Sequence, residues 1–295
     1  MVGDPVLTSP QSSEPISLLM VKQQLRVDAG DTSQDSYLAL LISSAREVAE
    51  TQTSRCYIQR GYREYYPCFP GNHLPLSLLE NYAGALGLGE HRRHRFHYHH
   101  FELSRSPLFK LTQIQYIDLT GAVQTLDPGQ YVLNNRRDPA QVSRMPALVG
   151  GLPWPITLCE PNAVWIDYTV GAVPIIVSIA QSATVLTGVT GYTFTSADVG
   201  SVISIHGAGC PGGALLTTVQ SVALGVATLS APALAGVVGA SAMLGPQIPF
   251  GDIQAMQLLV SHWYENRTPV GQGQMVEAPY MIQNMLNKNR VYYQP

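Results

Sequence analysis

The sequence predicts an α+β fold: a helical core with a small antiparallel sheet, plus an inserted all-β domain. Three observations carry this. Apolar residues keep helical spacing from Gln34 to Thr53 and again after Asp252. Between Tyr57 and Val170 the apolar period shortens to two. From Gly171 to Gly251 charge nearly disappears, leaving Asp198 alone where the whole-chain rate gives roughly ten charged residues.

The elements follow in order. Residues 1–14, rich in Ser, Pro and Asp, read as a flexible arm. A short helix follows Pro15, with Leu18, Leu19, Val21, Leu25 and Val27 on its apolar side. Asp28–Ser33 is a turn, and Asp31 with Gln34 three positions on matches a capping box. The strongest helix runs from about Gln34 to Thr53. It buries Tyr37, Leu38, Leu41, Ala45, Val48, Ala49 and Gln52, and its other face carries Ser43, Arg46, Glu47 and Glu50.

Tyr57–Tyr66 reads as a strand closed by Pro67 and Pro70, and 71–103 as an extended loop rich in His and Arg. Leu111–Leu119 and Val123–Leu126 flank Thr120-Gly121 as a hairpin. A turn at Asp127-Pro-Gly-Gln130 leads to a strand at Tyr131–Leu133. Pro146–Pro161 is a loop, and Ala163–Val170 is a further strand. Asp252 is the expected N-cap of a helix with Ile253, Met256, Val260, Trp263 and Tyr264 on one face. After a Gly/Pro linker at Thr268–Gln274, Pro279 opens a last short helix with Met281, Ile282, Met285 and Leu286. Two domains result: 15–172 with 249–295, and an inserted β-rich module at 173–248 bounded by turn-rich ends. Strands expected in the module include Ser201–His206, Leu215–Val222 and Val226–Leu229.

Composition excludes several classes. With 295 residues and 13% charge the chain can bury a real core and is not a disordered chain. The net charge of −3 gives no global pull toward nucleic acid. Charge is uneven, however: residues 91–144 hold eight bases against four acids, and 1–60 hold seven acids against five bases. A basic middle on an acidic chain suits an acidic partner. The four cysteines are dispersed, without a CxxC pair, which fits reduced thiols. The N-terminus lacks the pattern of a signal peptide, and no apolar stretch reads as a membrane-spanning helix.

No catalytic constellation stands out. His91-Arg-Arg-His-Arg-Phe-His-Tyr-His-His100 holds five His in ten residues, but Glu90 and Glu102 are the only nearby carboxylates for a metal site. A basic loop facing an acidic partner, or a plain solvated loop, accounts for it better. Gly207-Ala-Gly209 and Gly212-Gly213 lack the Lys-Ser/Thr of a phosphate loop, and neither GxSxG nor HExxH occurs. His262, Trp263 and Tyr264 read as core and edge of a helix rather than a cofactor pocket. The expectation is a protein that is not an enzyme, with no cofactor and no metal.

Leu25-Arg-Val-Asp28, Ser44-Ala-Arg-Glu-Val-Ala-Glu50, Tyr116-Ile-Asp-Leu-Thr-Gly121 and Gln124-Thr-Leu-Asp-Pro128 stand in order along the chain. Trp154-Pro155, Pro161-Asn-Ala-Val164, Asp167-Tyr-Thr-Val-Gly171 and Ser261-His-Trp-Tyr-Glu-Asn-Arg267 follow. This order of motifs resembles the head–tail connector (neck adaptor, head-completion) family of tailed bacteriophages. Gly71–Phe101 and Val173–Gln247 depart from the pattern. The second resembles the β-modules of tail fibres and tailspikes through Phe194-Thr-Ser-Ala-Asp-Val-Gly200 and Ile205-His-Gly-Ala-Gly209.

The resemblance implies a virion subunit made in the host bacterial cytoplasm and placed in the neck between head and tail. It implies a ring of about a dozen copies under the portal that extends the DNA channel, contacts viral DNA without specificity, and meets tail or neck proteins; no membrane is involved. On that basis Tyr280, Met281, Met285, Tyr292 and Tyr293 are expected to meet the portal. Arg92, Arg93, Arg95, Arg136 and Arg137 are expected to face the channel or DNA. Arg46, Glu47, Glu50, Glu265 and Arg267 are expected between subunits. The module at 173–248 is expected to meet the capsid or a tail fibre, because uncharged strand edges left bare would aggregate. The alternative is a glycan-binding or fibre-attachment module of a tail. Against it, the module offers one carboxylate and two aromatics, Tyr192 and Phe194.

Overall fold

The computed structural model describes residues 4–11, 13–70, 100–136, 138–144, 154–158, 160–210, 213–267 and 280–292. Their contacts divide the chain into two units. One is Met1–Pro10, Arg60–Val170 and Val291–Pro295; the other is Gln11–Gln59 and Gly171–Arg290.

The first unit is built of β1 (Asp4–Ser9), β2 (Arg60–Tyr66), β3 (His100–Glu102), β4 (Leu108–Ile117), β5 (Val123–Thr125), β6 (Tyr131–Asn134), β7 (Gln141–Arg144) and β8 (Val164–Val170). Five strands form an antiparallel sheet in the order β1-β2-β8-β4-β5, and three form a second in the order β3-β7-β6. On β8 burial alternates strictly, and Ile166, Tyr168 and Val170 point inward while Trp165 and Asp167 point outward. In register with them, β2 turns Tyr62, Glu64 and Tyr66 inward and Arg63 and Tyr65 outward. The buried Glu64 carboxylate accepts the Tyr168 hydroxyl at 2.8 Å and the Ser104 amide at 3.2 Å. The core is aromatic: Phe69 stacks on Trp154 with centroids 4.9 Å apart, and Phe101 closes on Tyr66 at 4.5 Å.

The second unit holds α1 (Leu18–Leu25), α2 (Asp35–Thr53), α3 (Phe250–Glu265) and α4 (Tyr280–Asn287). It also holds β9 (Val173–Ile179), β10 (Thr187–Thr190), β11 (Val202–Ile205), β12 (Leu215–Ala223), β13 (Val226–Leu229) and β14 (Val237–Leu244). The helices share one core, in which Leu38, Leu41, Ile42, Ala45 and Ala49 of α2 meet Ala255, Met256, Leu259 and Val260 of α3. Ser17 caps α1, its side chain accepting from the Met20 amide at 3.2 Å. Buried Lys22 ties down the turn that follows, donating to the Asp31 carbonyl at 2.6 Å and pairing with Asp35 at 2.6 Å. The six strands run β10-β9-β14-β11-β12-β13, all antiparallel where paired. Val173 on β9 lies opposite Leu244 on β14, so the module begins and ends side by side. Residues ahead of β10 bond to β13 (Leu186 amide to Ala227 carbonyl, 3.0 Å; Leu229 amide to Thr184 carbonyl, 2.7 Å), and the sheet nearly closes into a barrel.

This corrects the expected fold class. Among the described residues the chain is mostly β, with fourteen strands in three sheets against four helices, and the core is not chiefly helical. The strands that tip the balance are short or non-local. β1 falls in the stretch read as a flexible arm and pairs with β2, Val6 opposite Arg63. β3 and β7 have three and four residues, too few to show a period. Three smaller expectations also change. Gln34 occupies the N-cap of α2, and Asp31 instead accepts from the Ser33 amide, so no capping box forms there. Pro249 is the N-cap of α3, and Asp252 lies buried in its first turn. On the β module the β13 edge is not bare, because the residues ahead of β10 bond to it.

Candidate functional site

The residues expected between subunits separate into two kinds. The Arg46 guanidinium is largely buried and donates to Glu14 at 2.8 Å and to Glu50 at 2.9 Å. Glu50 also accepts the Tyr57 amide at 3.0 Å. That cluster therefore binds the chain ahead of α1, α2 and the strand entry to one another. Glu47 is exposed, and Val48, expected on the buried stripe, is exposed beside it. At the end of α3, Glu265 is exposed, while the Arg267 guanidinium lies over Tyr264 at 4.7 Å and Tyr37 at 5.0 Å and donates to Gln34 at 2.7 Å. His262 is half-buried on α3, and its carbonyl accepts both the amide and the side chain of Asn266, which ends the helix. Trp263 and Tyr264 pack against the helical core as their spacing implies.

At the C-terminal end, α4 anchors to the bundle through buried Ile282 and Leu286, with Met285 packed beside them. Tyr280, Met281 and Tyr292 are exposed. Tyr293 lies outside the described residues. Of the basic set, Arg136 is exposed, and Arg92, Arg93, Arg95 and Arg137 lie outside the described residues, as does the His-rich run up to His99. The structure thus brings Met281 to the same groove as Glu265, between α1, α3 and α4.

Two polar clusters escaped the sequence reading. On the outer face of the five-stranded sheet, Arg63 grips Asp167 through two hydrogen bonds of 2.6 and 2.9 Å. Gln113 donates to the same carboxylate at 2.8 Å, and Gln115 accepts the Trp165 indole N–H at 3.0 Å. Burial would raise the Asp167 pKa, but the bonds from Arg63 and Gln113 outweigh it and hold the carboxyl below its ordinary value. In the second unit, Asp252 accepts from Tyr57 and from Asn289, and Arg55 donates to the Asn289 carbonyl. The alternation of β2 and β8 puts Arg63 and Asp167 on outward positions, but only their pairing register makes them neighbours.

In the β module, the lone carboxylate is structural. Asp198 is buried and accepts from the Thr195 amide at 2.7 Å, the Thr195 hydroxyl and the Tyr192 hydroxyl, closing a capping box. Phe194 is buried and meets Tyr192 edge to face. Among the described residues no cluster of three His, Cys, Asp or Glu suits a metal ion, and no helix is long and apolar enough to cross a membrane.

No family model matches the chain. No curated protein matches it either. Among solved structures it is similar to a chain from the neck of an empty gene transfer agent particle, with TM-score 0.49 and 15% identity over 98% of this chain and 97% of that one. It is also similar to a chain from the virion of a native gene transfer agent particle, with TM-score 0.48 and 14% identity over 98% and 97%.

Proposed function

We propose that the chain is a structural subunit of the neck of a tailed phage or phage-like particle. In this reading it forms a ring under the portal, extends the DNA channel and offers the surface to which the tail attaches. It is an assembly protein rather than an enzyme. The observation that carries the reading is where the connector-like motifs fall. Scattered along the chain, they fall at the end of α1 and within α2 and α3 of one unit, and at the end of β4 and in β5 and β8 of the other. The departing segment at 173–248 makes a sheet of its own.

The polar clusters support it too. Of the buried carboxylates, Glu64, Asp198 and Asp252 are each taken up by hydrogen bonds within the fold. Exposed Tyr280, Met281 and Tyr292 are the kind of adaptable anchors that meet a portal. The basic residues, Arg136 with Arg92, Arg93, Arg95 and Arg137, suit weak sequence-blind attraction to DNA.

The test is imaging of assembled particles carrying a tagged chain. A closed ring of copies between head and tail is expected, and a single copy, or a chain absent from the neck, overturns the reading. Deleting 277–295 should give heads that lose DNA or lack tails.

A further inference from the structure

We propose that His100, Glu102 and Gln141 form a binding site for a divalent transition-metal ion on one face of the three-stranded sheet. The site is independent of the neck reading.

The pairing of β3 with β7 brings these side chains together. Alternation along β3 sends Phe101 into the aromatic core, and His100 and Glu102 to the opposite face. The register sets Glu102 opposite Gln141 and His100 opposite Ser143. Gln141 in turn lies opposite Asn134 on β6. The Leu103 amide bonds to the Ala140 carbonyl at 3.1 Å. The adjoining Glu102–Gln141 pair therefore takes a non-hydrogen-bonded position, where facing side chains come closest, and so does His100–Ser143. Facing Cβ atoms at such positions are about 5 Å apart, and next-but-one residues of a strand about 7 Å. Donors that each stand about 2.1 Å from a shared ion can bridge those spans.

Burial marks this face as more than a polar surface. Glu102 is 7% exposed, yet its Oε1 has no hydrogen-bond partner among the described residues. Gln141 beside it is 9% exposed. Ser104 Oγ, two positions past Glu102, is also buried without a partner. Glu64, Asp198 and Asp252, by contrast, each accept hydrogen bonds from the fold. A buried carboxylate left unpaired is costly, and a bound cation removes that cost.

The donor set names the class of cation. An imidazole with a carboxylate and an amide oxygen suits Zn²⁺, Ni²⁺ or Co²⁺, whereas Ca²⁺ takes six to eight oxygens. A metal-bound imidazole uses one ring nitrogen and leaves the other for a hydrogen bond. Two of the three ligands are of the His, Cys, Asp and Glu class, and the Gln141 amide oxygen supplies the third. Water takes a remaining position, as at metal sites with three protein ligands.

The sequence run from His91 to His99 would bind the same metals, so the test removes its histidines. The full-length chain carrying His91→Asn, His94→Asn, His97→Asn and His99→Asn is stripped with chelator and titrated with Zn²⁺ and with Co²⁺. One ion per chain is expected, with a rise in thermal midpoint and, for Co²⁺, a visible absorption band. Adding Glu102→Gln should abolish both signals and leave the metal-free midpoint unchanged or higher, because the unpaired buried charge is gone. Adding His100→Asn, at a half-buried position, should weaken binding by about tenfold or more with the fold intact. Failure of the four-Asn chain to bind, or binding that survives Glu102→Gln or His100→Asn, overturns the site. A metal-free Glu102→Gln chain that melts markedly lower also overturns it, because the carboxylate would then be held by the fold itself.

Discussion

The Tyr57 hydroxyl donates to the Asp252 carboxylate at 3.0 Å, joining residues 195 positions apart. Asn289 holds the other carboxylate oxygen at 2.7 Å, and the Tyr57 hydroxyl also meets Thr53 at 3.1 Å. The end of α2, the first turn of α3 and the chain just past α4 are thereby pinned at one point. Burial raises the Asp252 pKa more than these bonds lower it, and burial also drives the Tyr57 pKa up.

That shift sets a pH dependence. A carboxyl whose folded pKa lies above its unfolded value, about 3.9, binds more protons folded than unfolded in the interval between them. Stability therefore falls as pH rises through that interval. Relative to Asp252→Asn, which does not titrate, the native chain should lose stability between about pH 4 and its raised pKa. Urea denaturation across that range measures it, and a native chain that gains on the variant as pH rises contradicts the assignment.

Tyr168→Phe should cost about 1.5–3 kcal/mol, because it strips a donor from the buried Glu64 carboxylate without changing the ring's packing. Chemical denaturation reads the loss. A change below about 0.5 kcal/mol would mean that the bond contributes no more than an ordinary surface contact.

Gly171→Ala should destabilise by about 3 kcal/mol or more. Gly171 has φ +80°, and an added Cβ would stand 2.5 Å from the Ile58 carbonyl oxygen. Ala172 bonds on both sides of that carbonyl's residue, to Tyr57 and Gln59, so the backbone cannot step away. A soluble variant with an unchanged thermal midpoint is the contrary result.

Leu224→Asn should stabilise by about 1 kcal/mol. Leu224 is fully exposed at the tip of the β12–β13 hairpin with φ +50°, followed by Gly225 at +79°. Asn accepts that conformation more readily than Leu. A higher melting temperature is expected; a lower one means that the leucine is held for packing in the free chain.

Local pattern made much of this chain legible. The helix from Asp35 to Thr53 lies within one residue of its expected span, since nineteen residues give the helical period room to repeat. β8, β12 and β13 were also visible as alternating or apolar runs. β1 was not: Asp4–Ser9 has no pattern of its own and becomes a strand by pairing with β2. Among the candidate site residues, Trp263 and Tyr264 could be placed in the core from spacing. Arg46 could not be placed, because its partner Glu14 lies thirty-two positions away in a stretch read as a loose arm.

By itself the sequence determined the helices, the near-absence of charge across the β module and the order of connector-like motifs, because each is written in neighbouring residues. Tertiary structure alone decided the balance toward β, the near-closure of the module and the partners of Arg46, Arg63 and Asp252. The physical reason is that hydrogen bonds between strands and buried ion pairs join residues far apart in the chain. Which groups meet depends on register and packing that no local period records.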